Sequence, residues 1–364
     1  MELKGKKVLV FGAGISGIGA ADLLGRVQAR PVIYDGNTKL KESEILGKLQ
    51  NPSEVSVVLG EMSDKVLEGV ELAVLSPGVP TDLDAVQKIR DKNIPIWGEV
   101  ELAYQMGKGK VLAITGTNGK TTTTALTGQI MKDYLPDVYI VGNIGTPYTS
   151  CALDMTEDTV TVAEISSFQL ETIQDFAPRV SAILNITEDH LNRHHTMEEY
   201  IRVKELITAN QSKDDVCVLN YEDEVLRVFG EQVKDRIKVV FFSSLRQLPE
   251  GVFLKGSRIV VREKGQDEHR RQDEIVLPLH LFQPFVQIFF SHDPGDRFVP
   301  HFPADEKGGD RSENDTHETA QKRLRGSEQR HARRRTDKSG NGQDHHLQIL
   351  QDDIQKRHPD PRPF

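Results

Sequence analysis

The chain has 364 residues, a formal net charge of −9 and two cysteines, Cys151 and Cys217, at neither metal nor redox spacing. That length accommodates two or three domains, and the acidic balance speaks against a nucleic-acid-binding surface. No apolar run reaches the ~18 residues of a membrane span, and the charged start Met1–Lys7 leads into a short strand rather than a signal peptide, so a cytoplasmic protein is expected.

Lys7-Val8-Leu9-Val10-Phe11 reads as a buried strand, followed by Gly12-x-Gly14-x-x-Gly17 and a helix to about Gly25. The next strand, Pro31–Asp35, ends in an acid placed to hold a ribose hydroxyl. This fingerprint fits a dinucleotide site, a site for another nucleotide, or plain packing of helix on strand. Strands at Val55–Leu59 and Leu72–Leu75 flank a helical segment around Lys65, and Ser76–Pro80 forms a loop. The alternation predicts an α/β fold with a doubly wound parallel sheet over residues 1–105.

A second unit, residues 106–262, begins with the strand Lys110–Ile114 and the run Thr115-Gly116-Thr117-Asn118-Gly119-Lys120-Thr121-Thr122, with a helix through Met131. A strand, a glycine loop and a helix N-terminus present backbone N–H groups to phosphates, with Lys120 for the outer phosphates and the Thr121 hydroxyl for Mg2+. Ile114 stands where the strict P-loop has its first glycine, so a plain glycine turn is the competing reading. Gly116, Thr117, Asn118, Gly119, Lys120, Thr121 and Thr122 are the expected ATP contacts. Further strands are predicted at Val138–Val141, Thr159–Glu164, Ala182–Asn185, Val216–Asn220 and Lys238–Phe242, with a hairpin over Val252–Val261. Glu164 ends its strand beside the phosphate loop and is placed for Mg2+ or for capping the next helix. His190 follows the strand ending at Asn185 and shares that edge. Lys204, on a helix over Met197–Ile207, reads from its surroundings as a solvated helix lysine.

Together these segments resemble the Mur ligases, and within them the D-glutamate-adding branch. The resemblance rests on the Gly-Thr-Asn-Gly-Lys-Thr-Thr loop, Ser76-Pro77-Gly78, Gly142-Asn143-Ile144-Gly145, Ala163–Glu171 (with Ser166 and Gln169) and Asn185–His190. It implies a Rossmann-like first domain that holds UDP on the Gly12–Gly17 turn, with Ser16 and Asp35 near the uridine diphosphate. Ser76 would meet the pyrophosphate, and Asn143, Ser166 and Gln169 the sugar and alanine end. Thr121, Glu164, His190 and a carbamylated Lys204 would hold Mg2+, with Lys120, Lys204 and His190 in catalytic roles. The implied cofactors are ATP and Mg2+, and the implied partners UDP-N-acetylmuramoyl-L-alanine and D-glutamate, on a monomer. The implied chemistry is amide formation through an acyl phosphate.

The resemblance covers residues 1 to about 262, and residues 263–278 carry it in uncertain register. Where the family has Pro-Gly-x-His-Asn-x-x-Asn, this chain has Leu277-Pro278-Leu279-His280-Leu281-Phe282-Gln283-Pro284. From Leu279 onward there are 14 Lys+Arg and 14 Asp+Glu, so the whole acidic excess (32 against 41) lies in residues 1–278. Eight of the 12 histidines follow Leu279, and helical or strand periodicity is absent there. Residues 279–364 therefore read as an out-of-frame or disordered tail, with a degenerate third domain and impaired turnover. The alternatives are a sister Mur ligase or folylpolyglutamate synthetase, against which Ser166-Ser167-Phe168-Gln169-Leu170 argues, and a non-catalytic UDP-sugar/ATP-binding remnant.

Overall fold

A computed structural model describes residues 2–143, 146–256 and 259–262 and the backbone of 258 and 274–278. Two sheets organise it. The first holds β1 (Lys7–Phe11), β2 (Arg30–Asp35), β3 (Ser56–Leu59), β4 (Val70–Leu75) and β5 (Ile96–Gly98), all parallel, in the order β3-β2-β1-β4-β5. Its helices are α1 (Ile15–Arg26), α2 (Glu42–Leu46), α3 (Asp64–Leu67), α4 (Asp84–Asp91) and α5 (Glu99–Met106). Side chains alternate across a strand, so Val8 and Val10 join one hydrophobic cluster while Leu9 and Phe11 join the other. A strand apolar on both faces belongs at the centre of a covered sheet. The strand order reverses between β1 and β4, and a crevice at such a switch point is where open α/β sheets bind ligands. The Gly12–Gly17 loop and the Ser76 loop both leave from that point.

The second sheet runs β14-β13-β12-β11-β10-β9-β6-β8-β7. Its strands are β6 (Lys110–Thr115), β7 (Val138–Gly142), β8 (Val160–Glu164), β9 (Val180–Ile183), β10 (Val216–Asn220), β11 (Lys238–Ser243), β12 (Gly251–Lys255), β13 (Arg258–Arg262) and β14 (Glu274–Pro278). β6 to β12 pair in parallel, whereas β12-β13-β14 are antiparallel. The expected hairpin is therefore present and gains a third strand. The helices are α6 (Lys120–Tyr134), α7 (Tyr148–Cys151), α8 (Ser167–Leu170), α9 (Leu191–His194), α10 (Met197–Glu205) and α11 (Glu224–Val233). The carboxyl ends of β8, β6 and β9 lie side by side, which brings Glu164, the phosphate loop and the Asn185–His190 segment to one edge.

Several boundaries differ from the sequence reading. α6 continues three residues beyond Met131, and α10 gives way at Leu206–Thr208 to a 3-10 turn. β9 stops at Ile183, two residues before Asn185. There the chain turns to the phosphate loop, and the Asn185 carbonyl accepts from Thr117 N at 2.9 Å. The expected aperiodic tail, residues 279–364, lies outside the described residues, as do Ile144 and Gly145. Among the described residues no helix is long and apolar enough to cross a membrane.

Candidate active site

The phosphate loop is built by two glycines in the left-handed half of conformational space. Gly116 has φ 143° and Gly119, the residue capping α6, has φ 85°, values that cost a side chain dearly and glycine nothing. At Gly116 a Cβ would also approach Leu184 Cβ to 3.1 Å. No side chain caps α6, so its first N–H groups and the positive end of its dipole face the cleft and suit an anion. Asn118 N donates to Asn185 Oδ1 at 2.8 Å, and Asn185 Nδ2 donates back to Asn118 O at 3.0 Å. Lys120 Nζ donates to Thr117 O at 2.8 Å, across the base of the loop. Thr121 and Thr122 are exposed on the first turn of α6.

Beneath the loop lies Lys204, 1% exposed, with Nζ donating to Gly116 O at 2.9 Å and standing 4.8 Å from the centroid of the Tyr200 ring. The solvated-lysine reading is thus corrected: α10 turns this position inward. Burial, with Lys120 as a second positive charge nearby, pulls its pKa down to about 7, against a smaller opposing effect of Asp189. Much of this amine is therefore neutral at neutral pH and carries a free lone pair. Tyr200 was not singled out in the sequence, although it precedes Lys204 by one helical turn and shares its face. Its hydroxyl lies 3.1 Å from Thr117 Oγ1, which donates to Thr187 O and accepts from Thr187 N.

Glu164 is 1% exposed at the end of β8. Its Oε1 accepts from Asn143 Nδ2 at 3.1 Å, while Oε2 is buried without a hydrogen-bond partner. A buried carboxylate oxygen left open suits a cation. Among the described residues no three or more His, Cys, Asp or Glu side chains gather into a metal cage. A cation at Glu164 would complete its shell with phosphate oxygens and water, which is how Mg2+ binds at nucleotide sites. His190 starts α9 at φ 50°, half-exposed, with Nε2 3.4 Å from Asp189 Oδ2 and its ring 4.9 Å from that of Phe168.

On the first sheet, Gly12 has φ 108°, and a Cβ there would sit 2.8 Å from Ser76 Oγ. A Cβ at Gly17 would lie 1.8 Å from Gly12 O, so both glycines are demanded by close approach. Asp35 Oδ2 accepts from Ala13 N and Oδ1 from Asn37 N, both at 2.9 Å, so this acid braces the loop itself. Ser16 is half-buried in the first turn of α1, which has no side-chain cap. Ser166 and Gln169 form a capping box on α8. Gln169 is only 3% exposed, and its Nε2 donates to Glu99 Oε1 at 2.7 Å. Glu99 was missed in the sequence, since its contact is 70 residues away.

A model of the Mur ligase middle domain matches residues 114–274, and one described as Mur ligase MurD-like, N-terminal domain matches residues 6–98. UDP-N-acetylmuramoylalanine--D-glutamate ligase of Lachnoclostridium phytofermentans is 53% identical over 267 residues, covering 73% of this chain and 58% of that protein. The proteins of that name from Lachnospira eligens and Clostridioides difficile are 52% and 42% identical, over 73% and 76% of this chain and 59% and 61% of theirs. The chain thus spans about three-fifths of the length of these curated relatives. Matched in sequence across both sheets, from the Gly12 loop through the phosphate loop and Lys204, the chain belongs to the Mur ligase family.

Proposed function

We propose that this chain binds a UDP-muramoyl-L-alanine substrate across its first sheet and ATP on its second, and serves the addition of D-glutamate to that substrate, as the names of its relatives describe. The observation that carries this reading is the single edge where Glu164, the phosphate loop and Lys204 meet. The Gly12 and Ser76 loops take the UDP portion, with Ser16 and the Asp35-braced turn at the diphosphate and uridine. Asn143, Ser166 and Gln169 shape the sugar and alanine end.

The alanine carboxylate attacks the γ-phosphorus of ATP, the bond to the ADP oxygen breaks, and an acyl phosphate forms. Lys120 and the N–H groups of residues 116–122 spread the charge of the transferring group. The amine of D-glutamate then adds to the acyl carbon and phosphate leaves with the electron pair, while the amine proton passes to solvent. Glu164, Thr121 and His190 would hold Mg2+, which supplies charge neutralisation at the phosphates when bound. The neutral Lys204 amine adds to the carbon of CO2 and gives up a proton to solvent, becoming a carbamate anion that would serve as a further oxygen ligand for Mg2+.

Titration calorimetry with UDP-N-acetylmuramoyl-L-alanine tests the site: we expect Kd below about 1 mM, and no heat at millimolar ligand removes the reading. The replacement of the Pro-Gly-x-His-Asn segment by Leu277–Pro284 favours a second reading, a protein that binds both nucleotides without turnover. ADP release that depends on D-glutamate separates the two.

A further inference from the structure

Arg193 lies one turn past His190 on α9, and its guanidinium faces three ways. Nε and Nη2 donate to the two carboxylate oxygens of Glu171, at 3.1 and 2.6 Å, and Nη2 also donates to Val79 O at 2.9 Å. Val79 belongs to the turn after β4 that carries Ser76, closed by Val79 N donating to Ser76 O at 2.9 Å. The third contact is stacking: the guanidinium carbon sits 5.0 Å from the centroid of Phe168, whose ring meets that of His190. Thr81 Oγ1 reaches Glu171 Oε2 at 3.4 Å, reinforcing the link from the first sheet.

We propose that Arg193 is a positioning residue that ties the Ser76 turn, on the UDP side, to the Phe168–His190 pair, on the ATP side, so that binding at the two sides is interdependent. This rests on the functional reading above. The Arg193 and Glu171 side chains are 11% and 10% exposed, so the pair acts in a poorly screened setting and its planar fork fixes both direction and distance. Any displacement of Val79 must move the guanidinium or break a charge-assisted bond. Any displacement of the guanidinium shifts the ring against which His190 rests. Both sites therefore bias one shared element, which is the physical requirement for coupling.

The test measures the Kd of UDP-N-acetylmuramoyl-L-alanine on the full chain by calorimetry, alone and with Mg2+ plus a non-hydrolysable ATP analogue. In the wild type the second condition should tighten Kd about fivefold or more. Arg193→Lys keeps the charge and removes the fork, and should bring that ratio to about twofold or less with each ligand still binding alone. The paired change Glu171→Gln with Arg193→Met leaves no unpartnered buried charge, so it guards against a variant that fails to fold, and it should lose the coupling equally. A ratio near one in the wild type, or one unchanged in both variants, overturns the proposal while leaving the binding site intact. A wild type that binds neither ligand overturns the functional reading with it.

Discussion

A lysine held at 1% exposure beneath a phosphate loop, with another lysine nearby, has a lowered cost of losing its proton. The neutral fraction of Lys204 grows as pH rises through about 7, and only that form adds to CO2. We expect a carbamate resonance in 13C NMR spectra with labelled bicarbonate that strengthens from pH 6.5 to 8 and is absent in Lys204→Arg. A spectrum indifferent to the substitution would sink this assignment. Glu99 is displaced in the opposite sense: burial raises its carboxyl pKa, against the partial opposition of the Gln169 hydrogen bond. The unfolded chain then releases this proton at the ordinary pKa while the folded chain keeps it. Stability falls as pH climbs above ~4.5 toward the raised folded value, and flattens beyond it. Glu99→Gln has no such proton and keeps an oxygen to accept from Gln169 Nε2. Its melting temperature should exceed that of the wild type by about 2–4 °C at pH 7.5 for each kcal/mol relieved, and the gap should close near pH 4.5. A gap that is constant with pH refutes the protonation account.

Among the elements, α11 shows how a helix end can build a site from a distance. Asp223 Oδ1 caps it by accepting from Val225 N and Leu226 N at 3.0 and 3.2 Å, while Oδ2 accepts from Ile186 N at 2.7 Å. One carboxylate thus starts a helix and pins the segment between β9 and His190. Asp223→Ala should cost about 2–4 kcal/mol, combining a lost cap with an orphaned N–H, and should weaken binding of an ATP analogue; thermal melts and calorimetry read the two effects separately. Unchanged ATP affinity in a destabilised variant would confine Asp223 to capping. The strands and the phosphate loop were legible in the sequence because apolar runs and glycine spacing are local signals. β5 went unread because Ile96–Gly98 is a three-residue strand that gives no period to detect, and β14, α2, α4, α5 and α11 were not read either. Site residues fared the same way. Glu164 and Lys120 follow from their places at strand and helix ends, whereas the buried setting of Lys204 and the partners of Gln169 and Arg193 arise only when distant segments pack.

At the scale of the whole molecule, one hydrophobic cluster takes side chains from both sheets. Val8, Val10 and Val74 lie in it with Val111, Ala113 and Ile183. The strand pattern shows that each of these positions is buried, yet not that the two faces share a core, because which surfaces meet depends on contacts far apart in the chain. Polar bonds fasten the same junction. Glu101 on α5, fully buried, accepts from Gln174 N and Phe176 N through Oε2 at 2.8 and 3.1 Å, and from Asp175 N through Oε1 at 3.1 Å. Gly98 N donates to Thr172 O at 3.0 Å beside it. Glu101→Gln exchanges one acceptor oxygen for an amide donor facing N–H groups, which leaves at least one backbone N–H of residues 174–176 without its partner and costs about 1–3 kcal/mol. That loss should lower the melting temperature by about 2–10 °C. The shared apolar cluster remains in the variant, so the described part of the chain should still unfold in one step. Trp97, on β5, reports on the first sheet by fluorescence, and far-UV circular dichroism reports on both. Coincident midpoints for the two probes, before and after the substitution, are the expected result. If the Trp97 transition separates from the dichroism transition already in the wild type, the cluster does not couple the sheets.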